Sequence, residues 1–280
     1  MPATISQLDP PVVITKLGGC IYTAAIIAFG VENIACARKA SHMLGKRYEV
    51  IPVLPWLPAI PWLVYVYGAV LVFCGAGLLA PASRRKAAIT LGTILFAAAI
   101  LLDVPKYALH LGSIPLRTIA FEPLSIACLA FLLPDPATTP AWLTRTSRLL
   151  LGASMIIYGI DHFVGMSFIV NFIPNWIPFH AFWVGFFGIA FIAGGISIAL
   201  NVLLRWGAFG LGLMFGIWVL TLHLPRVLGL AGIPGAFHDA DEWSSLFIAV
   251  ALWGGLWAIA RGESKGRPDR GFREWSLLLV

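Results

Sequence analysis

The chain has 280 residues, of which 59 % are hydrophobic and only 11 % charged, with a mean hydropathy of +0.88 and a net charge of +6. A soluble domain carries roughly 25 % charged residues, so the composition excludes an ordinary water-soluble globule and points to a lipid bilayer as the main partner. No basic run suited to a phosphate backbone is present, which excludes nucleic acid as a partner, and the positive charge reads instead as membrane orientation and lipid contact.

Interrupted apolar runs of about 20 residues, enough for one spanning helix, recur along the chain without the period-two alternation of a β-barrel strand. A polar lead over residues 1–16 precedes the first predicted helix, 17–37. Lys16, the apolar run and Ala35-Cys36-Ala37 have the outline of a signal peptide. The echo of this helix later in the chain reads it instead as a retained part of a repeat. A charged loop follows at 38–50, then Pro55-Trp56-Leu57-Pro58, an interfacial element that starts a helix. The second and third helices are predicted over 61–80 and 87–102, joined by the basic turn Arg84-Arg85-Lys86 and stopped by Pro105. The fourth is predicted over 116–133, with Pro123 as a kink, and residues 135–147 read as a Pro- and Thr-rich linker. The remaining helices are expected over 149–170, 180–200, 206–222 and 244–260, followed by a charged tail, 261–280. All four cysteines, Cys20, Cys36, Cys74 and Cys128, fall in predicted helices without a C-x-x-C pair. They read as small hydrophobes.

The second half repeats the first. Adding 120 to positions between 53 and 106 pairs Trp56 with Trp176, Pro58 with Pro178, Gly68 with Gly188, Gly75 with Gly195, Arg85 with Arg205 and Pro105 with Pro225. Two unrelated apolar segments would share Leu and Val, not Trp, Pro and Gly in register, so the pattern predicts an internal duplication. Residues 146–163 echo 17–34 at an offset of 129, with Gly159 matching Gly30, Asp161 matching Glu32 and His162 matching Asn33. The expected fold is an all-α integral membrane protein with eight transmembrane helices as two parallel four-helix repeats, residues 17–134 and 148–260. With both termini in the cytoplasm, twelve of the nineteen basic residues lie on the inner side, as positive residues prefer. The loop after the first helix, with four of the other seven, is the counterweight.

Ionisable residues within a membrane are expensive to place and mark candidate sites. On this topology Glu32, Asn33, Asp103, Glu122, Tyr158, Asp161, His162, His180, His223 and Glu242 gather in the outer half. His110, His238, Asp239 and Asp241 lie nearby in sequence. Tyr158 shares a helical face with His162, four residues on, and neighbours Asp161, three residues on. Three readings fit the cluster. The acids before the last helix cap it, His180 and His223 sit among headgroups, and Asp161 pairs with His162, Arg226 or Lys106. Alternatively the group forms a ligand or quinone pocket in which His and carboxyl groups hydrogen-bond a carbonyl and accept protons. In the third reading His162, His180 and His223 hold a metal with a carboxylate.

The stretch Leu54-Pro55-Trp56-Leu57-Pro58, with Tyr67-Gly68, Gly75-Ala76-Gly77-Leu78-Leu79, Arg84-Arg85 and Ala87-Ala88, resembles the DoxX-like membrane proteins. The second unit does so through His162-Phe163, Pro174-Asn175-Trp176-Ile177-Pro178, Gly188, Gly194-Gly195 and Arg205. Members typically have one four-helix unit, so the chain is similar to a tandem pair. The family is named from a subunit linked to thiosulfate:quinone oxidoreduction. The resemblance therefore implies a bacterial inner-membrane protein serving a redox-linked complex, with quinone as the cofactor class, and it carries over His162. Members often have a Glu shortly after the glycines matching Gly68 and Gly188, where this chain has apolar residues near Leu71 and Phe191. The reading that follows is a membrane subunit or quinone-type binding protein of a redox-linked complex, with a site around Tyr158, Asp161, His162, His180, His223, Glu242, Glu32 and Asp103. The alternatives are a proton-coupled small-molecule transporter and a non-catalytic anchor or assembly subunit that binds protein partners of a membrane complex.

Overall fold

The structure, a computed structural model, describes residues 12–40, 61–230 and 240–261. The loop after the first helix, the Pro55–Pro58 element, His238, Asp239 and residues 262–280 lie outside them, and the side chain of Asp241 is likewise not described. Among the described residues the chain is helical and has no strand. The long helices are α1 (Val12–Ala40), α2 (Pro61–Leu79), α3 (Arg84–Ala98), α5 (Ile114–Leu132), α6 (Ala141–Val164), α8 (His180–Leu200), α9 (Leu204–Trp218) and α11 (Ala240–Ile259). Three short helices accompany them: α4 (Val104–Ala108), α7 (Met166–Ile169) and α10 (Leu224–Val227). Seven spans are long and apolar enough to cross a membrane, or eight if α6 and the segment Met166–Phe172, bent from it by 81°, are one broken span. Large apolar side chains point outward, with Phe73 77 %, Ile189 63 % and Leu220 59 % exposed, as a lipid-facing surface requires.

Each long helix packs on the next in chain order, α1 on α2, α2 on α3, α3 on α5, α5 on α6, α6 on α8, α8 on α9 and α9 on α11. The last helix, α11, closes the ring onto α1 and also meets α5 across the middle. Lipid tails are as apolar as leucine, so such helices associate through close backbone packing at small residues. A Cβ on Gly30 would stand 2.7 Å from the carbonyl oxygen of Gly68, between α1 and α2, and one on Gly159 would stand 2.6 Å from that of Gly188, between α6 and α8.

Several boundaries differ from those expected. The third helix does not stop at Pro105: α3 passes through a π-helical turn, Ala99–Asp103, into α4, a span of 25 residues. Likewise α9 passes through Val219–His223 into α10, which contains Pro225. A proline ring clashes with the carbonyl four residues earlier and offers no N–H. A widened π turn lets the helix continue past it. The same turn leaves Asp103 and His223 at its last position, 120 residues apart. The basic turn belongs to the start of α3, where Arg84 Nε donates to the carbonyl of Leu78 at 3.0 Å, at the negative end of α2.

The expected linker 135–147 is shorter, because α6 begins at Ala141 directly after Pro140. Only the turn around Asp135, whose carboxylate accepts from the Ala137 N–H at 2.9 Å, is non-helical in the manner predicted. The helix expected to run to 170 ends at Val164 and bends at Gly165. Pro123 lies inside α5 without ending it. Beyond α11, Arg261 donates to the carbonyls of Leu132 and Pro134 at 2.9 and 2.7 Å and so caps the end of α5.

Candidate ligand cavity

A cavity of about 800 Å³ lies between α5, α6, α8, α9 and α11, with α7 and the segment Phe172–Pro178 contributing to its wall. The sequence places it there for identifiable reasons. Gly165 ends α6 and turns the chain through α7 toward the Pro174–Pro178 turn. The left-handed backbone of Phe179 (φ 60°, ψ 49°) then reverses it into α8. That conformation is strained for a bulky side chain. It leaves Phe179 79 % exposed while Trp176 and Pro178 line the cavity.

Aromatic rings form much of the wall. The His162 ring stacks on Trp218 with centroids 5.5 Å apart and planes 16° apart, and it meets Phe191 at 5.2 Å. Phe191 in turn packs edge-on against Tyr158, Phe215 and Trp218. Phe187 meets Trp218 at 5.3 Å and Trp183 at 5.9 Å. Such rings give area and flat faces at little conformational cost. The polar groups sit in this apolar frame: Thr118 and Glu122 on α5, Tyr158, Asp161 and His162 on α6, Thr221 and His223 on the π turn, and Ser245 on α11.

The orientation of these groups is set by short-range bonds. His162 Nδ1–H donates to the carbonyl of Tyr158 at 2.7 Å, one helical turn back. The Tyr158 hydroxyl lies 3.4 Å from Ser125 Oγ, and Ser125 donates its own proton to the carbonyl of Phe121 at 2.7 Å. Asp161 forms an ion pair with Arg117 from α5. Its side chain is 5 % exposed against 21 % for Arg117, and Arg117 also bonds Tyr107. The second carboxylate oxygen of Asp161 has no hydrogen-bond partner.

Four of the eight residues expected at the site, Tyr158, Asp161, His162 and His223, meet at this cavity. The other four lie off its wall. His180 stands on the first turn of α8. Glu242 is held by Arg226, whose Nε donates to Oε2 at 2.8 Å while Nη2 bonds Oε1, and the guanidinium lies over the ring of Phe172. Glu32 accepts from Ser244 Oγ at 2.9 Å, tying α11 to α1. Asp103 is 2 % exposed, with neither carboxylate oxygen hydrogen-bonded, and lies within electrostatic reach of Glu122 and Tyr67. Asn33, the residue matching His162, donates to the Phe29 carbonyl at 2.8 Å, again one turn back.

Two expectations are corrected here. The partner of Asp161 is Arg117, not His162, Lys106 or Arg226. Among the described residues no group of three or more His, Cys, Asp or Glu side chains could hold a metal, so His162, His180 and His223 do not form a metal centre. Sequence reasoning also missed two features. Glu122, named among the ionisable candidates but left out of the expected site, lines the cavity from the ninth position of α5. The ring box of Trp183, Phe187, Phe191, Phe215 and Trp218 has no linear motif, although two consecutive apolar helices that place two tryptophans and three phenylalanines on one wall give a faint signal. Compared with protein-family models, with curated proteins and with solved structures, the chain finds no match.

Proposed function

We propose that the chain is a multi-pass membrane protein that binds an apolar, ring-bearing small molecule of quinone type in this cavity, as a binding protein or membrane subunit of a redox-linked complex. The observation that carries the reading is the wall itself. It is an aromatic box of about 800 Å³ in which a few polar groups, His162, Tyr158, Glu122 and His223, meet on α5, α6 and the π turn. Ligand sites for drug-sized molecules are typically 300–1,000 Å³, mostly apolar, with a small number of placed polar groups. A membrane setting supplies ligands of that kind.

The same proposal reads the chain as two DoxX-like four-helix units in tandem, residues 17–134 and 148–260, in a bacterial inner membrane with both termini cytoplasmic. Supporting it are the paired π turns ending at Asp103 and His223, the paired glycine contacts Gly30–Gly68 and Gly159–Gly188, and the paired back-bonds of Asn33 and His162. The aromatic box belongs to one unit only, since Trp183, Phe191, Phe215 and Trp218 stand where the first unit has Leu63, Leu71, Leu95 and Ala98. Organic extraction and mass spectrometry of protein purified from its own membranes test the reading. A ring-bearing lipid is expected with wild type and is expected to be lost in Ile119→Trp, which fills the cavity. Equal recovery from both proteins, or none from wild type, contradicts it.

A further inference from the structure

The hydrogen atoms on one side of the cavity are already spent. His162 gives its Nδ1 proton to the Tyr158 carbonyl, which can only accept, so the neutral ring presents the lone pair of Nε2. Ser125 gives its single proton to Phe121, so in the contact between them Tyr158 is the donor, and its phenolic oxygen is left only to accept. Thr118 donates to the carbonyl of Ile114 at 3.1 Å, and Thr221 to that of Ile217 at 2.8 Å. Asp161, with one oxygen on Arg117, keeps a buried oxygen without a partner. The α5–α6 wall therefore offers acceptors at His162, Tyr158 and Asp161, and its remaining polar group, the Glu122 carboxyl on α5, accepts through either oxygen when ionised and donates only when protonated. The other donors, Ser245 and the ring N–H groups of Trp176, Trp218 and His223, belong to α11, the turn before α8, α9 and the π turn.

Resting on the ligand reading above, we infer that the cavity selects the hydroxyl-bearing, reduced form of a lipophilic ring compound, a hydroquinone or phenol, over the carbonyl-bearing quinone. A quinone oxygen against α5–α6 meets lone pair with lone pair and loses its own hydration without compensation, whereas an O–H there completes an acceptor. Sites built around a ligand hydroxyl discriminate strongly against analogues lacking it, because the buried polar groups are then left unpaired. The ring box treats both redox forms alike, so the discrimination belongs to His162, Tyr158 and their neighbours.

The test uses the full chain in lipid nanodiscs under anaerobic conditions, with tryptophan quenching read against empty nanodiscs. The probes are a decyl-substituted benzoquinone, its hydroquinone, and the dimethyl ether of that hydroquinone, which keeps the shape without a donor. The hydroquinone is expected to bind at least tenfold more tightly than either other probe. That margin is expected to shrink to threefold or less in His162→Phe, which preserves a ring against Trp218. Quinone binding equal to or tighter than hydroquinone overturns the inference and leaves the ligand reading standing. Failure of all three probes to bind overturns both. A hydroquinone margin unchanged in both His162→Phe and Tyr158→Phe overturns the assignment of the acceptor wall.

Discussion

Replacing Arg117 by leucine should destabilise the protein far more than replacing its partner Asp161, although the two share one ion pair. The asymmetry follows from burial. The Asp161 side chain is 5 % exposed and one of its oxygens already lacks a partner, so Arg117→Leu strands a buried carboxylate with neither oxygen bonded. Breaking a buried pair in that way costs about 3–5 kcal/mol. In Asp161→Leu the survivor is Arg117, 21 % exposed and bonded to Tyr107, with a long stem that lets its head reach solvent. The loss there is about 1 kcal/mol, because the surviving guanidinium keeps a hydrogen-bond partner and is not fully buried. The double variant should resemble Asp161→Leu, giving a coupling of about 3–5 kcal/mol across the cycle, equal to the Arg117→Leu loss. Unfolding in mixed micelles with increasing SDS, followed by far-UV circular dichroism, measures all four proteins. Equal losses for the two single variants, or an additive double variant, would refute the reasoning.

Close helix packing makes Gly159→Ala destabilising by about 1–3 kcal/mol, because its Cβ would meet the Gly188 carbonyl at 2.6 Å. In contrast Gly210→Ala, on α9 with nothing within 4 Å, should stabilise by about 0.5–1 kcal/mol in the same unfolding assay. Arg226→Lys removes the forked bond to Glu242 and the contact over Phe172, and should lower stability by about 1–2 kcal/mol. Lys matching Arg to within experimental error would show the fork to be idle. Asp103→Asn keeps the shape while removing a buried carboxyl that no hydrogen bond meets and that lies within electrostatic reach of Glu122. A gain of about 1 kcal/mol is expected, and a loss would show that the acid has a partner of its own.

Much of the helical plan was legible because lipid imposes it. Where all backbone groups must be satisfied within the segment, apolar length alone locates spans, and α2, α8 and α11 begin and end close to their expected positions. The failures have local causes. Pro105 was read as a stop because proline removes a donor, but a π turn absorbs it and carries α3 into α4. Pro140 and the threonines around it were read as linker, but proline at a helix start is favourable and α6 begins there. At the site, Tyr158, Asp161 and His162 were legible from helical spacing, and His223 from its depth in the chain. Glu122 and Arg117 come from α5, whose face toward α6 no local pattern specifies. Which unit carries the cavity depended on bulky rings at 183, 187, 191, 215 and 218, whose convergence is a property of packing between helices and not of any single one.

The central claim is that a ring-bearing lipid occupies the space between α5, α6, α8 and α9. The most direct measurement is photolabelling of the full chain in nanodiscs with an azido-substituted hydroquinone, followed by peptide mapping with and without excess unlabelled hydroquinone. Labels on the peptides carrying His162, Phe191 and Trp218, suppressed by the competitor, are the predicted result. Labels confined to lipid-facing positions such as Phe73 and Ile189, and insensitive to the competitor, would contradict it.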